Sequence, residues 1–232
     1  MSELDIIRDL AKQALTITTP NCKVDGFLWD RAQRLVRNVE HICRLPEVAK
    51  DKMQIDHFAL ITATYFSEAG LARHLESEGT GVEGANSNNN NEDLLDLATL
   101  IVEESLSPAA SRMSISKINR IITESMSHSP TMLEAMILSD SRNLDDMGAI
   151  GIFSEFKRYI IGGKGVSNIL HTWKRKIEYK YWQTRLKESF RFESVRKIAE
   201  QRLSTAEYFM NQLKVENTAS DLEELSIDSA ID

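Results

Sequence analysis

The chain has 232 residues, of which 42% are hydrophobic, enough to bury the core of one medium-sized domain. Four prolines and ten glycines are few for the turns of an all-β protein, so the composition favours an all-α fold. The net charge of −7 is uneven, because residues 214–232 contain six acids and one lysine, a net charge of −5, which leaves −2 for the rest. Such a balance argues against a nucleic-acid partner.

Features of export and membrane insertion are missing from the sequence. No apolar run approaches the roughly 20 residues that span a bilayer. Residues 1–9 carry three acids and one arginine, whereas a secretory signal needs a basic start followed by an apolar stretch. Two cysteines, Cys22 and Cys43, are too few for a disulfide framework. We expect a cytoplasmic protein with no membrane partner.

Apolar residues recur at helical spacing along most of the chain. In chain order, the predicted helices are 2–18, 29–46, 54–75 (two helices with a turn near Gly70), 93–104, 116–126, 130–137, 149–161 and 169–213. Pro130 fits the first turn of its helix. Because 169–213 lacks glycine and proline, it predicts one or two long helices, which form a C-terminal extension.

Two stretches break this helical pattern. Residues 79–91 (GTGVEGANSNNNN) lack an apolar period and predict a mobile loop. Residues 214–232 are acidic and rich in serine, which is typical of a disordered tail. We therefore expect a single helical domain over 1–213, followed by the tail.

Two other local patterns have ordinary structural explanations. Gly162-Gly163-Lys164-Gly165 lacks the strand, the spacing and the Ser or Thr of a phosphate-binding loop, so it indicates the end of a helix. Residues 173–202 contain ten bases, four acids and six aromatic residues. This mixture favours a long helix with a buried aromatic face over nucleic-acid binding. Its basic face could also bind the acidic tail, residues 214–232.

Three segments, in order, resemble the HD-domain superfamily of metal-dependent phosphohydrolases: 28–39 (LWDRAQRLVRNV), 63–70 (ATYFSEAG) and 134–152 (EAMILSDSRNLDDMGAIGI). Members often show Trp-Glu-His-Ser before an Arg-Val helix in the first segment. The second has small apolar residues, then His-Asp and a turn ending in glycine. The third has Asp-Ala-Asp-x-Leu-Asp and a glycine-containing helix. The resemblance covers about 27–209 and implies an HD-domain-like helical core.

The resemblance also implies a degenerate metal-binding motif. Arg31 stands where members have the first ligand histidine, and Ser67-Glu68 replaces the His-Asp pair. The two aspartates of the third segment align with Asp140 and Arg142, and which of these positions binds metal stays open. His128 aligns with a further histidine that many members have before this segment.

The substitutions change the chemistry of the site. Arginine has no lone pair and stays protonated, so Arg31 repels a metal ion. Ser67 is a weak, neutral ligand. Glu68, Asp140 and His128 remain as residual candidate ligands, which could hold at most a weakly bound Mg²⁺ or Mn²⁺. The expectation is therefore no cofactor, or a loosely held divalent metal.

Three functional interpretations follow. In the first, Arg31 and Glu68 form a buried ion pair in place of the metal. The protein is then a catalytically impaired HD protein, or pseudoenzyme. It acts as a module that binds a ligand or a partner, or as a regulatory module. In a variant of it, Arg31 and Arg142 bind the phosphate of a small molecule. The alternative is an active metal-dependent phosphohydrolase on a nucleotide or small phosphoester, with Asp140 essential. The oligomeric state and any protein partner stay open.

Overall fold

The computed structural model describes residues 2–18, 24–49, 55–79, 91–107 and 112–222, and this part of the chain is all-α apart from one small sheet. Its helices are α1 (Glu3–Leu15), α2 (Phe27–Ile42), α3 (Pro46–Ala49), α4 (His57–Phe66), α5 (Ala69–Gly79), α6 (Asn91–Leu106), α7 (Arg112–Ser125), α8 (Leu133–Asp145), α9 (Gly148–Ile161), α10 (Val166–Glu178), α11 (Tyr181–Glu188) and α12 (Glu193–Thr218). Strands β1 (Ile17–Thr18) and β2 (Val24–Asp25) pair antiparallel. None of the described helices is long and apolar enough to cross a bilayer.

Chain contacts divide the protein into two compact units, residues 1–142 and residues 143–232. The expectation of a single domain over 1–213 stays a prediction. The predicted loop 79–91 also stays untested, because residues 80–90 lie outside the described part of the chain.

The first unit is a bundle in which α4 packs against α1, α2 and α7, and α5 packs against α6. Its helix starts are specified locally. The Ser2 hydroxyl accepts a hydrogen bond from the Asp5 amide at 3.2 Å, and the Asp5 carboxylate accepts one from the Ser2 amide at 2.9 Å. The Asp56 carboxylate caps α4 by accepting the Ala59 amide at 3.0 Å. Side chains from five helices fill its core: Leu28, Leu35, Leu60, Phe66, Leu106, Ile118, Ile121, Ile122, Ile137 and Leu138.

The turn between α4 and α5 is held in place by the close approach of α6. A Cβ on Gly70 would overlap the carbonyl oxygen of Leu94 and would lie 3.1 Å from the Ala98 amide nitrogen. Only glycine lets the two helices come this near. The packing thereby fixes the two residues just before α5, Ser67 and Glu68.

The second unit packs α9 and α10 against α12, with α11 against α10 and α12. Its buried cluster consists of Ile152, Ile169, Ala206 and Met210. At the start of α9, Gly148 has a φ of +74° and its α-carbon faces the backbone of Arg202, so this position needs glycine. α12, 26 residues in length, makes up most of the C-terminal extension that the sequence predicted.

Among the predicted helix boundaries that the first unit does not follow, two have a clear local cause. α1 ends at Leu15 rather than near Thr18, because the β-branched residues that follow favour the extended backbone of β1. α8 begins at Leu133 rather than at Pro130. The Glu124 carboxylate accepts the amides of Thr131 and Met132, each at 3.0 Å, and this cap places the helix start after them.

The prediction of one or two helices over 169–213 is also wrong, since α10, α11 and α12 occupy this stretch. Lys180 has a φ of +53°, which ends α10 without glycine. After α11, Phe190 and Phe192 are both buried in a non-helical segment. Burial of these rings outweighs the local helix preference.

α12 extends to Thr218, five residues into the stretch predicted as a disordered tail. Leu213 and Val215 are partly buried, so this last part of the helix still packs on the unit. Residues 223–232 lie outside the described part of the chain.

Candidate functional site

Two of the three segments that suggested the resemblance are joined by an aromatic stack. Trp29 of α2 lies on Tyr65 of α4, with ring centroids 5.7 Å apart and ring planes at 14°. Such stacking contributes about 0.5–1.5 kcal/mol beyond the area it buries. It fixes the register between α2 and α4, and with it the positions of Arg31 and Glu68.

The predicted ion pair between Arg31 and Glu68 is present. Arg31 Nε lies 3.4 Å from Glu68 Oε1, and the two side chains are only 10% and 6% exposed. The geometry of these two atoms does not meet the criteria for a hydrogen bond, so the contact between them is an ion pair only. Burial strengthens the attraction, because little water screens it.

A second arginine, from α8, reaches the same carboxylate. Arg142 Nη2 lies 3.3 Å from Glu68 Oε1, and its Nη1 donates a hydrogen bond to the Ser67 carbonyl at 3.2 Å. One carboxylate oxygen is therefore placed between two guanidinium groups. We call Arg31, Glu68 and Arg142 the ion cluster. Two arginines and one glutamate give it a net formal charge of +1.

The other predicted site residues near the cluster are buried. The Ser67 hydroxyl donates to the Thr64 carbonyl at 2.9 Å, so it closes the end of α4. Asp140 of α8 is fully buried. Beside it, Ser141 donates to the Leu35 carbonyl of α2 at 3.1 Å. The polar residues of this stretch of α8 thus tie it to α2 and α4.

The residual metal ligands are not gathered together. His128 is exposed in the turn after α7, whereas Glu68 and Asp140 are buried. Within the described residues, no group of three or more His, Cys, Asp or Glu side chains could hold a metal ion. The cluster does not suit a divalent cation, because two fixed positive charges already lie on the only carboxylate in it.

One partly buried charge network was missed by the sequence reasoning. Lys117 Nζ of α7 lies 3.1 Å from Asp56 and 3.2 Å from Glu134, and the Asp56 amide donates to Glu134 at 3.1 Å. Although partial burial opposes the change, hydrogen bonds to the two acids raise the pKa of Lys117. The network joins the starts of α4 and α8. No local pattern could have revealed it, because its members lie far apart in sequence.

Two open cavities on the first unit have volumes of about 300 and 520 Å³. The first is lined by residues of α1, α5 and α6, and the second by residues of α6 and α7. Neither is lined by a residue of the ion cluster. A ligand at the cluster would therefore meet Arg142 first, since its side chain is 21% exposed.

No protein-family model and no curated protein matches the sequence. Solved structures, however, share the fold. Bacillus subtilis YpgQ in complex with ADP gives a TM-score of 0.59 at 19% identity, over 93% of this chain and 97% of YpgQ. A further YpgQ structure gives 0.56 at 16% identity, with the same coverage. The Lin1889 protein of Listeria innocua gives 0.57 at 18% identity, over 94% of this chain and 98% of that one.

Proposed function

We propose that this protein is a catalytically impaired member of the HD-domain superfamily, which binds a phosphate-bearing small molecule through the ion cluster. The observation that carries the proposal is the position of Arg31. It stands where members have the first metal-ligating histidine, and its guanidinium lies 3.4 Å from the carboxylate that replaces their aspartate. A cation of the protein thus takes the place of a metal ion.

The chemistry of the cluster favours an anionic ligand. Arginine binds phosphate through charge-assisted hydrogen bonds, which are about twice as strong as neutral ones. Both guanidinium groups contact the same carboxylate oxygen of Glu68. Because Arg142 is the more exposed of the two arginines, it is the group that we expect to contact a phosphate.

The likeness to YpgQ suggests which anion to try first. That protein was crystallised with ADP, and its chain has the same fold along almost its whole length. ADP and inorganic phosphate are therefore suitable probes. The proposal assigns the nucleotide no site beyond the phosphate contact with Arg142.

The test is calorimetric titration of the full chain with ADP in the absence of divalent metal. We expect saturable binding, weakened about tenfold or more in Arg142→Ala, because a hydrogen bond to a charged group is worth roughly 1.5–3 kcal/mol. Arg73→Ala is the matched control. It removes an arginine whose ion pair with Glu104 is exposed, and its affinity should equal that of the wild type.

Two outcomes would overturn the proposal. Absence of heat with ADP and with phosphate at millimolar concentration would exclude the anion site. Phosphate release that depends on added Mn²⁺ or Mg²⁺ would exclude impaired catalysis, provided that Asp140→Asn, checked for folding by circular dichroism, loses it. The alternative, a metal-dependent phosphohydrolase, would then replace our proposal.

A further inference from the structure

An apolar and basic corner lies where α9 ends and α10 begins, in the second unit. In this α9–α10 corner, residues 157–166, Ile160 is 68% exposed and Ile161 is 71% exposed. Two adjacent isoleucines in water are costly, since a buried aliphatic side chain gains roughly 1.5–3 kcal/mol. The ion cluster belongs to the other unit, so the corner has no part in the proposed function.

The charge of the corner is of one sign. Residues 156–173 contain Lys157, Arg158 and Lys164 and no acid. Arg158 and Lys164 form no ion pair with an acidic residue of the described chain, whereas some bases farther along, such as Lys174 with Glu178, are paired. Lys176, for instance, lies 2.7 Å from Glu155, and Arg185 lies 2.6 Å from Asp146. The corner thus presents unneutralised positive charge.

One stretch of the same chain has the opposite charge and also contains apolar side chains. Residues 223–232 (EELSIDSAID) contain four acids, no base, and three large aliphatic residues. An occupant of the corner needs apolar side chains for the isoleucines and carboxylates for Arg158 and Lys164. The sequence of 223–232 provides both.

The helix that precedes this stretch, α12, packs on the same buried cluster as the end of α9. Tyr159 and Leu213 pack on the same buried cluster, so the end of α9 and the last part of α12 lie at the same end of the unit. From Leu213, α12 rises only about 7.5 Å further before it ends at Thr218. Ala219, with a φ of +53°, then redirects the chain. Ten extended residues reach up to about 33 Å.

We propose that residues 223–232 bind in cis to the α9–α10 corner, with their aliphatic side chains on Ile160 and Ile161 and their carboxylates on Arg158 and Lys164. The contact covers an apolar surface that would otherwise be available to other proteins. Its charged part weakens as salt rises, because these groups lie at the surface.

Photo-crosslinking in the full chain tests this directly. Benzoylphenylalanine introduced in place of Ile161, an exposed position, should give an intramolecular crosslink that mass spectrometry maps to 223–232. We expect Arg158→Glu with Lys164→Glu to lower the yield several-fold, and Glu223→Lys with Glu224→Lys to restore it. The control, Lys187→Glu with Lys197→Glu, makes the same charge change elsewhere in the unit and should leave the yield unaltered.

Other products would overturn the proposal. A crosslinked dimer would mean that a second copy covers the corner, and a crosslink to a different protein would assign the surface to a partner. No crosslink at low salt would show that the corner is uncovered. Each of these outcomes is independent of ADP binding, so failure here would leave the proposed function intact.

Discussion

Glu68 holds two arginines from different helices of the first unit. Its carboxylate lies 3.4 Å from Arg31 and 3.3 Å from Arg142 in a setting with little water. We expect Glu68→Gln to lower the free energy of unfolding by about 3–5 kcal/mol, because it removes the carboxylate charge that both guanidinium groups contact. Urea denaturation of the purified variant measures this loss.

An exposed ion pair provides the matched control for that experiment. Arg73 and Glu104 lie 3.1 Å apart, closer than Arg31 and Glu68, but their side chains are 51% and 65% exposed. Glu104→Gln should therefore cost less than about 1 kcal/mol. Equal losses for the two variants would contradict the role assigned to burial.

Glu124 makes stability depend on pH. Hydrogen bonds from the Met132 amide, together with the Arg120 guanidinium and Thr131, hold its pKa at about 2 rather than the ordinary 4.5. A folded-state pKa below the unfolded value stabilises the protein fully above pH 4.5, and this contribution is lost as the pH falls towards 2. We expect Glu124→Gln to cost about 1 kcal/mol near neutral pH. Its difference from the wild type should shrink below pH 4.5 in denaturation curves.

Thr131→Val separates the parts of this cap. It removes the hydroxyl that donates to Glu124 at 2.9 Å and keeps the two amide donors. Thr131→Val should lower the free energy of unfolding less than Glu124→Gln does. Its loss of stability should depend on pH in the same way. A difference between Glu124→Gln and the wild type that stayed constant from pH 6 to pH 2 would rule out this account.

At the scale of elements, the contact of α5 with α6 depends on the absence of a side chain at Gly70. We expect Gly70→Ala to destabilise the protein by about 1–3 kcal/mol, since the new Cβ would overlap the backbone of Leu94. Gly26→Ala is the control, because no atom lies within 4 Å of its added Cβ. It should change stability by less than about 0.5 kcal/mol in chemical denaturation. A harmless Gly70→Ala would mean that the two helices are farther apart.

At the break between α10 and α11, Lys180 adopts a left-handed backbone conformation that residues with a Cβ disfavour. A left-handed residue with a Cβ costs about 1–2 kcal/mol, and glycine avoids this at an entropic cost of roughly 0.5–1 kcal/mol. Lys180→Gly should therefore raise the free energy of unfolding by roughly 0.5–1 kcal/mol. Lys187→Gly, inside α11, should lower it by about 1 kcal/mol. Thermal denaturation of both variants distinguishes a true helix break from one continuous helix, in which both would be destabilised.

For the whole molecule, the ion cluster predicts how stability responds to ligands. A ligand that binds only the native state raises the melting temperature by mass action. We expect ADP to raise it, and Mn²⁺ or Mg²⁺ alone to leave it unchanged. Protein purified without added metal should contain far less than one divalent ion per chain by inductively coupled plasma mass spectrometry. Metal near one per chain would refute the cluster as a replacement for a metal site.

The all-α architecture and most helix positions followed from sequence, because the signals are local. Apolar residues three and four apart mark one helix face, and Ser2 with Asp5 forms a cap within one turn. The pairing of Arg31 with Glu68 was also predictable. That prediction rested on the proposed resemblance to one family, which aligns both residues with ligand positions expected to face each other.

Tertiary structure alone decided the rest. Arg142 as a second partner of Glu68, Lys117 between two acids, and the Glu124 cap all depend on how helices pack, and no local pattern encodes that. Ser141 and Leu35, for example, are joined across 106 residues. The breaks at Lys180 and before α12 likewise reflect burial of side chains against other helices. The sequence by itself determined which segments are helical, because helical spacing is a property of neighbouring residues. The packing decided which charges meet, because contacts between residues distant in sequence depend on how the helices come together.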